Sequence, residues 1–295
     1  MSSQKQATII SSSVATVLTL VKFMIGIASG SVAVLASAID SLLDMVISIF
    51  NLFAIKKSEE KANDSFHYGK GKVQAIAAVI EGTIITLSGI YIIYEAINKA
   101  ITGEQITMLT PAIVVMLFSI AVTFLLVEYL TMVAKKTDSI VIKADALHYQ
   151  TDLLSNGVIL FSLVLVYFSG WDIIDAIFGF GIGIYIIYSA FEIIKEGVYI
   201  LLDRALELET LKAIEEKLKE HPLVNSYHGL KTRTDGTHNF VEFHLVLEPE
   251  MTLMEAHNIS DQIEERIVQL DDKKVWMITP HFDPYDDELI DKALK

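Results

Sequence analysis

The sequence predicts a polytopic α-helical membrane domain of six transmembrane helices, followed by a small α+β domain of the ferredoxin type. Two observations carry this prediction. The 295 residues have a mean hydropathy of +0.47 although 20% are charged, so apolar and charged residues must be segregated along the chain. Residues 205–295 contain 20 acidic and 10 basic side chains, against 17 and 13 in residues 1–204, which predicts a domain border at residue 204.

Six apolar stretches fill the first domain, and each reaches the roughly 20 residues that a helix needs to cross a bilayer. They cover residues 7–29, 33–55, 73–98, 108–134, 141–169 and 173–201. Six in succession predict a multi-pass protein of the cell (inner) membrane. Lysines gather in alternate breaks, five between residues 56 and 72 and two at 135–136, so the positive-inside rule predicts that both termini are cytoplasmic.

The hydrophobic period changes in residues 205–295. Segments 207–220 and 251–270 have the pattern of amphipathic helices, whereas 224–233, 238–248 and 275–281 are typical of strands. The order helix–strand–strand–helix–strand predicts a small sheet with its helices on one face. About 90 residues form a modest core, so pairing with a second copy is expected.

Composition excludes several classes of function. The chain has no cysteine, which rules out disulfides, iron–sulfur clusters and thiolate zinc sites, and leaves histidine and carboxylate as metal ligands. Its formal charge of −14 argues against nucleic acid as a partner. A His-Glu-x-x-His motif is missing, as are glycine-rich phosphate loops, so neither a metalloprotease nor ATP-driven pumping by this chain is indicated.

Ionisable residues inside the apolar stretches are costly and usually functional. Asp40 and Asp44 lie four residues apart in the second stretch, hence on one helical face. His148 and Asp152 have the same spacing in the fifth stretch. The remaining ionisable residues, Glu81 and Asp145 among them, are grouped with residues near the ends of spans, where water or headgroups solvate them.

Two helices that each present two ligands can close a four-ligand tetrahedron. Three carboxylates and one imidazole suit Zn²⁺, and less selectively Fe²⁺, Mn²⁺ or Co²⁺. The competing interpretations are a pair of interhelical hydrogen bonds and a carboxylate paired with Lys22. Because a site of three ionised carboxylates is disfavoured without its cation, we expect metal departure to be coupled to proton uptake, with His148 as the carrier.

The motifs Asp40-Ser-Leu-Leu-Asp44 and His148-Tyr-Gln-Thr-Asp152 resemble the paired membrane motifs of the cation diffusion facilitator family, most of all its bacterial zinc/iron efflux members. The resemblance extends over nearly the whole chain. It implies a homodimer that exchanges divalent cations for protons by alternating access and exports them from the cytoplasm. In that family the Asp-Asp/His-Asp quartet accompanies zinc or cadmium, and manganese members usually lack the histidine.

The resemblance also implies roles for residues outside the quartet. A binuclear zinc site at the dimer interface of the cytoplasmic domain would use His228, His244, His257, His281 and Asp283. Zn²⁺ is then both transported substrate and regulatory ligand. His221 and His238 have no counterpart in the family and are interpreted as solvated.

Two further features of the resemblance lie near the membrane surface. A peripheral zinc site in the loop before the third span is depleted, because Lys70 and Phe66 replace its histidines and only Asp64 and His67 remain. We therefore expect this loop site to be weak or absent. Lys72 and Asp203 match a charge pair that locks the dimer.

The sequence thus favours a proton-coupled exporter of Zn²⁺. The alternatives are an exporter of Mn²⁺, Fe²⁺, Co²⁺ or Cd²⁺ within the same family, and a metal sensor whose spans only anchor the cytoplasmic domain. A sensor would keep its signalling when Asp44 is replaced by alanine, whereas a transporter would lose flux.

Overall fold

Six long helices form the first part of the protein. The structure, a computed structural model, describes residues 3–29, 32–102, 110–169 and 173–286. The helices are α1 (Ser3–Ser29), α2 (Val32–Ser58), α3 (Val73–Thr102), α4 (Thr110–Thr137), α5 (Ile140–Ser169) and α6 (Ile173–Leu201). Each has 27 to 30 residues, or about 40–45 Å at 1.5 Å per residue, which exceeds the hydrocarbon thickness of a bilayer.

Four of these helices, within the described residues, contain segments long and apolar enough to cross a membrane. They are Ser3–Met24, Val73–Asn98, Leu117–Thr137 and Ile177–Leu201. Large apolar side chains such as Leu87, Tyr91 and Leu125 are exposed on the outside, whereas Glu81 and Asp145 are buried. This distribution is the reverse of a soluble protein and fits helices that meet lipid with their outer faces.

Helices α3 and α6 pack closely through small residues. A Cβ atom added to Gly183 would lie 2.5 Å from Cγ1 of Ile93 and 3.0 Å from the carbonyl oxygen of Gly89. Gly82 and Gly197 are similarly tight, with added Cβ atoms 2.8 Å and 2.7 Å from the nearest side-chain carbons. Lipid gives little hydrophobic drive for helix association, so close backbone approach stabilises such a pair.

The second part of the chain confirms the predicted order of elements. It contains α7 (Leu208–Lys219), β1 (Ser226–Thr234), β2 (His238–Val246), α8 (Leu253–Val268) and β3 (Val275–Asp283). Strand β2 is central, antiparallel to β1 and parallel to β3. Contacts divide the chain into two compact units, residues 1–198 and 199–295.

One face of this sheet carries the core of the second unit. The core combines Val241, Phe243 and Leu245 of β2 with Ile214 of α7 and Ile263 of α8. Side chains of a strand alternate between its two faces, so residues at even positions of β2 point away from the helices. This second face carries His228, His244 and His281.

Candidate metal centres

Two helices bring three of the four predicted membrane ligands together. Nε2 of His148 lies 3.0 Å from Oδ1 of Asp44 and 3.9 Å from Oδ2 of Asp152. One ligand atom from each of the three residues lies within 4.8 Å of the others. Asp40 falls within α2, but its side chain lies outside the described part of the chain.

The spacing of these ligand atoms suits a small divalent cation. At Zn–N and Zn–O distances of about 2.0–2.2 Å, tetrahedral ligand atoms are about 3.3–3.6 Å apart. The observed separations of 3.0 Å and 3.9 Å lie on either side of that range. The imidazole of His148 is buried and the carboxylate of Asp152 is partly exposed, so the site has one open side.

Polar contacts between α2 and α5 continue beside the site. The hydroxyl groups of Ser48 and Tyr149 are 2.8 Å apart, and both residues are buried. Ser48 lies one helical turn after Asp44, and Tyr149 directly follows His148. This hydrogen bond therefore fixes the relative register of the two helices that carry the ligands.

A second cluster lies on the open face of the sheet. His228, His244 and His281 are direct neighbours across β1, β2 and β3, with ring centroids 4.6 Å and 4.7 Å apart. The carboxylate of Asp283 lies among them. Its Oδ2 is 2.8 Å from Nδ1 of His244 and 3.2 Å from Nε2 of His228, and its Oδ1 is 3.2 Å from Nε2 of His281.

The local backbone makes room for this cluster. The pairing of β1 with β2 has an irregularity between His228 and Lys231, and Gly229 within it has a φ of +64°. A Cβ at Gly229 would lie 2.9 Å from Cδ2 of His244. Glycine is thus required both by the left-handed backbone and by the approach of the imidazole ring.

His257 is not part of the cluster within one chain. It lies on α8, whose buried side packs against the other face of the sheet, and its Nδ1 is 3.6 Å from Oδ1 of Asp261. Its side chain is 63% exposed.

The interpretation of His221 as solvated is wrong, because the residue is buried beside Gln262. His238 is also only partly exposed, and its Nδ1 lies 3.0 Å from a carboxylate oxygen of Asp235.

In the loop between α2 and α3, a lysine occupies the position where the resemblance implies a metal ligand. Nζ of Lys70 lies 2.7 Å from Glu60 and over the ring of Phe66. Hydrogen bonds from Lys57 and from Lys70 lower the pKa of Glu60 from 4.5 to about 2. Asp64 and His67 are exposed, and they belong to neither of the groups of three or more potential metal ligands found in the described residues.

Lys72 and Asp203 belong to different units, and their pairing across a dimer stays a prediction. Within the second unit, Asp203 accepts a hydrogen bond of 3.3 Å from Arg233. Its φ of 57° places it in the left-handed region, at the end of α6.

Sequence reasoning missed a buried polar bridge in the membrane domain. Nδ2 of Asn51 donates to Oε2 of Glu81 at 2.9 Å and to Oδ1 of Asp145 at 3.4 Å. Glu81 and Asp145 are 1% and 0% exposed, so their grouping with solvated residues near the ends of spans is wrong. Asn51 follows Asp44 at a spacing of seven, on the same helical face, and this spacing was the available signal.

Comparison with known proteins gives the family. Residues 8–202 match the family model for the cation efflux transmembrane domain, and residues 206–285 match that for the cytoplasmic domain of cation efflux proteins. The chain belongs to the cation diffusion facilitator family. It is therefore a multi-pass membrane transporter of the cation efflux type, and not an enzyme.

Named relatives agree with this assignment. The chain is 37% identical over 264 residues to the cation-efflux pump FieF of Citrobacter koseri. It is 35% identical to the proteins of the same name from Escherichia coli (strain K12 / DH10B) and Escherichia fergusonii. Each alignment covers 90% of this chain and 88% of the relative.

Proposed function

We propose that this facilitator exports Zn²⁺ from the cytoplasm in exchange for protons. The observation that supports the proposal is the approach of Asp44, His148 and Asp152 to one another between two membrane helices. Asp40, one turn before Asp44 on α2, is the proposed fourth ligand. An imidazole among carboxylates favours zinc over the harder cations that prefer oxygen ligands alone. Mn²⁺, Fe²⁺, Co²⁺ and Cd²⁺ are the competing cargoes.

Proton exchange follows from the chemistry of the ligands. Metal binding needs a neutral imidazole and ionised carboxylates, so it displaces protons. When the metal leaves, the partly buried carboxylates of Asp44 and Asp152 remain beside His148 without its charge. Protonation of these groups replaces the lost positive charge and repels a returning cation.

The cytoplasmic domain acts in this proposal as a zinc-dependent regulator of a homodimer. His228, His244, His281 and Asp283 supply the ligands in each copy. The second unit is strongly acidic, so two copies repel each other and bound Zn²⁺ offsets that charge. His257 is exposed and thus accessible to a second copy. The proposal includes a cell (inner) membrane protein with both termini in the cytoplasm, and Lys72 and Asp203 as the dimer lock.

Transport by purified full-length protein in proteoliposomes tests the main proposal. We expect zinc uptake accompanied by counter-flow of protons in the wild type, with weaker or no uptake of the other metals. Asp152→Ala should reduce uptake by at least about 100-fold, because it removes a proposed ligand. Replacing a residue that only hydrogen-bonds to a ligand already lowers metal affinity or activity by about 10–100-fold. Glu128→Gln, on an exposed position of α4, is the matched control. Zinc uptake without proton movement would contradict the exchange mechanism.

A further inference from the structure

The bridge of Glu81, Asn51 and Asp145 joins three helices inside the membrane domain. Glu81 belongs to α3, Asn51 to α2 and Asp145 to α5. A single amide nitrogen, Nδ2 of Asn51, donates to both carboxyl groups. All three side chains are at least 99% buried, so water does not replace missing partners.

The bridge contains more acceptors than donors. Oδ1 of Asn51, Oε1 of Glu81 and Oδ2 of Asp145 have no hydrogen-bond partner among the described residues. The hydroxyl group of Ser11, on α1, is the second donor that reaches Asp145. Two ionised carboxylates and an amide oxygen, buried with only these donors, are strongly disfavoured. A proton on a carboxyl oxygen supplies the missing donor and removes one negative charge.

The position of the bridge connects it to the transport site. Asn51 is seven residues before the end of α2 at Ser58, or about 10 Å, whereas Asp44 is 14 residues before it, or about 21 Å. Asp145 likewise precedes His148 by three residues on α5. The bridge thus lies between the ligands and the lysine-rich loop, on the side that the positive-inside rule places in the cytoplasm.

Few other charges reach Glu81. Asp145 and His148 of α5 act on it electrostatically, and α2 contributes the neutral Asn51. On α6, the side chain of Ile194 and the backbone carbonyl oxygen of Ala190 lie opposite its neighbour Gly82. Glu81 itself is on α3, which carries none of the proposed metal ligands.

We infer that Glu81, held by Asn51 against Asp145, is a proton-carrying residue of the transport cycle, separate from the metal ligands. This inference rests on the proposed metal–proton exchange. When a divalent cation occupies the transport site, its charge favours the carboxylate, and the carboxyl proton of Glu81 leaves toward the lysine-rich side. When the cation has left on the opposite side of the membrane, Glu81 takes up one proton from that side. Each cycle thus moves one proton against the metal ion and returns the carboxyl group to its starting state.

Glu81→Gln tests the inference because glutamine reproduces the shape and the donor of a protonated glutamate but does not titrate. In proteoliposomes with a pH indicator, we expect the number of protons exchanged per metal ion to fall by about one. The KM for the metal should stay within about threefold of the wild type, since the ligands are intact. Glu81→Asp keeps a titratable group and should restore the proton ratio. Glu128→Gln is again the control.

A second measurement does not depend on transport. Metal added to the purified full-length protein in weakly buffered detergent solution should release about one proton fewer from Glu81→Gln than from the wild type. An unchanged proton count in both assays would overturn the inference while leaving the proposed exchange intact. Metal transport by the wild type without any proton counter-flow would instead overturn the proposed function.

Discussion

The two candidate metal centres use the same kinds of ligand on different scaffolds. In the membrane, His148 and Asp152 lie one turn apart on α5 and meet Asp44 of a second helix. In the cytoplasmic domain, three histidines occupy adjacent strands and share one carboxylate, that of Asp283. Two helices joined only by side-chain contacts can separate, whereas neighbouring strands in a sheet are held by backbone hydrogen bonds.

This difference matches two different demands on a metal site. A carrier must bind its cation and then release it, so ligands on separate helices are an advantage. A sensor must remain bound or empty according to the metal concentration, so a preformed group of ligands is preferable. The carboxylate of Asp152 is 37% exposed, and that of Asp283 is 7% exposed. The more open site is thus the one that we propose to exchange its metal.

The largest expected effect is the difference in zinc flux between variants that lack a ligand in one centre or in the other. Asp44→Asn should lower zinc flux by at least about 100-fold and leave binding to the cytoplasmic cluster intact. Asp283→Asn should weaken binding to that cluster by at least about 100-fold but reduce flux only at low metal concentration. Flux in proteoliposomes and calorimetric titration of the full-length variants measure both. Asp272→Asn, an exposed acidic position, is the control for the second variant.

The opposite pattern would contradict the division of roles. If Asp283→Asn abolished flux at saturating zinc, the cytoplasmic cluster would be part of the transport route. If Asp44→Asn left flux unchanged, the membrane cluster would not be the transport site.

A smaller effect is expected from the backbone beside the sheet cluster. Gly229→Ala places a Cβ 2.9 Å from the His244 ring and a side chain at φ +64°. The left-handed backbone alone costs roughly 1–2 kcal/mol. The variant should lower the melting temperature of the cytoplasmic domain and its zinc affinity. Gly236 also has a positive φ, of 94°, but a Cβ added there would have no neighbour within 4 Å. Gly236→Ala therefore has the backbone cost without the crowding, and the difference between the two variants measures the effect of crowding at His244. Equal loss of zinc affinity in both variants would exclude the proposed contact with His244.

The predicted architecture came from features that are local in the sequence. Apolar length marks the six helices, and the change of period marks the five elements of the second unit. Ligands at i and i+4 were recognisable for the same reason. The bridge at Asn51 was not, because a neutral residue on α2 gains its meaning only from two carboxyl groups on other helices. The burial of His221 likewise depends on α8, 41 residues away.

The smallest expected effect concerns the loop between α2 and α3. His67→Ala should leave the number of bound zinc ions and the flux unchanged, because Lys70 and Glu60 already form an ion pair there. The pKa of Glu60 is depressed to about 2, so this ion pair adds stability above the unfolded value of 4.5 and loses it only as the pH falls toward 2. Hydrogen-exchange protection of residues 57–72 should thus persist from pH 7 to about pH 4. Loss of one zinc ion in His67→Ala would show that the loop does bind metal.

The alternation of side chains in β2 ties metal binding to the fold itself. His244 faces the ligand cluster, while Phe243 and Leu245 on either side of it enter the core. Deleting one residue between His238 and His244 would move the side chains on one side of the deletion to the opposite face of the sheet. No such length change can remove the metal ligands and spare the core. In evolution, then, this strand is free to change its ligands only by substitution, and insertions or deletions are confined to the turns at its ends.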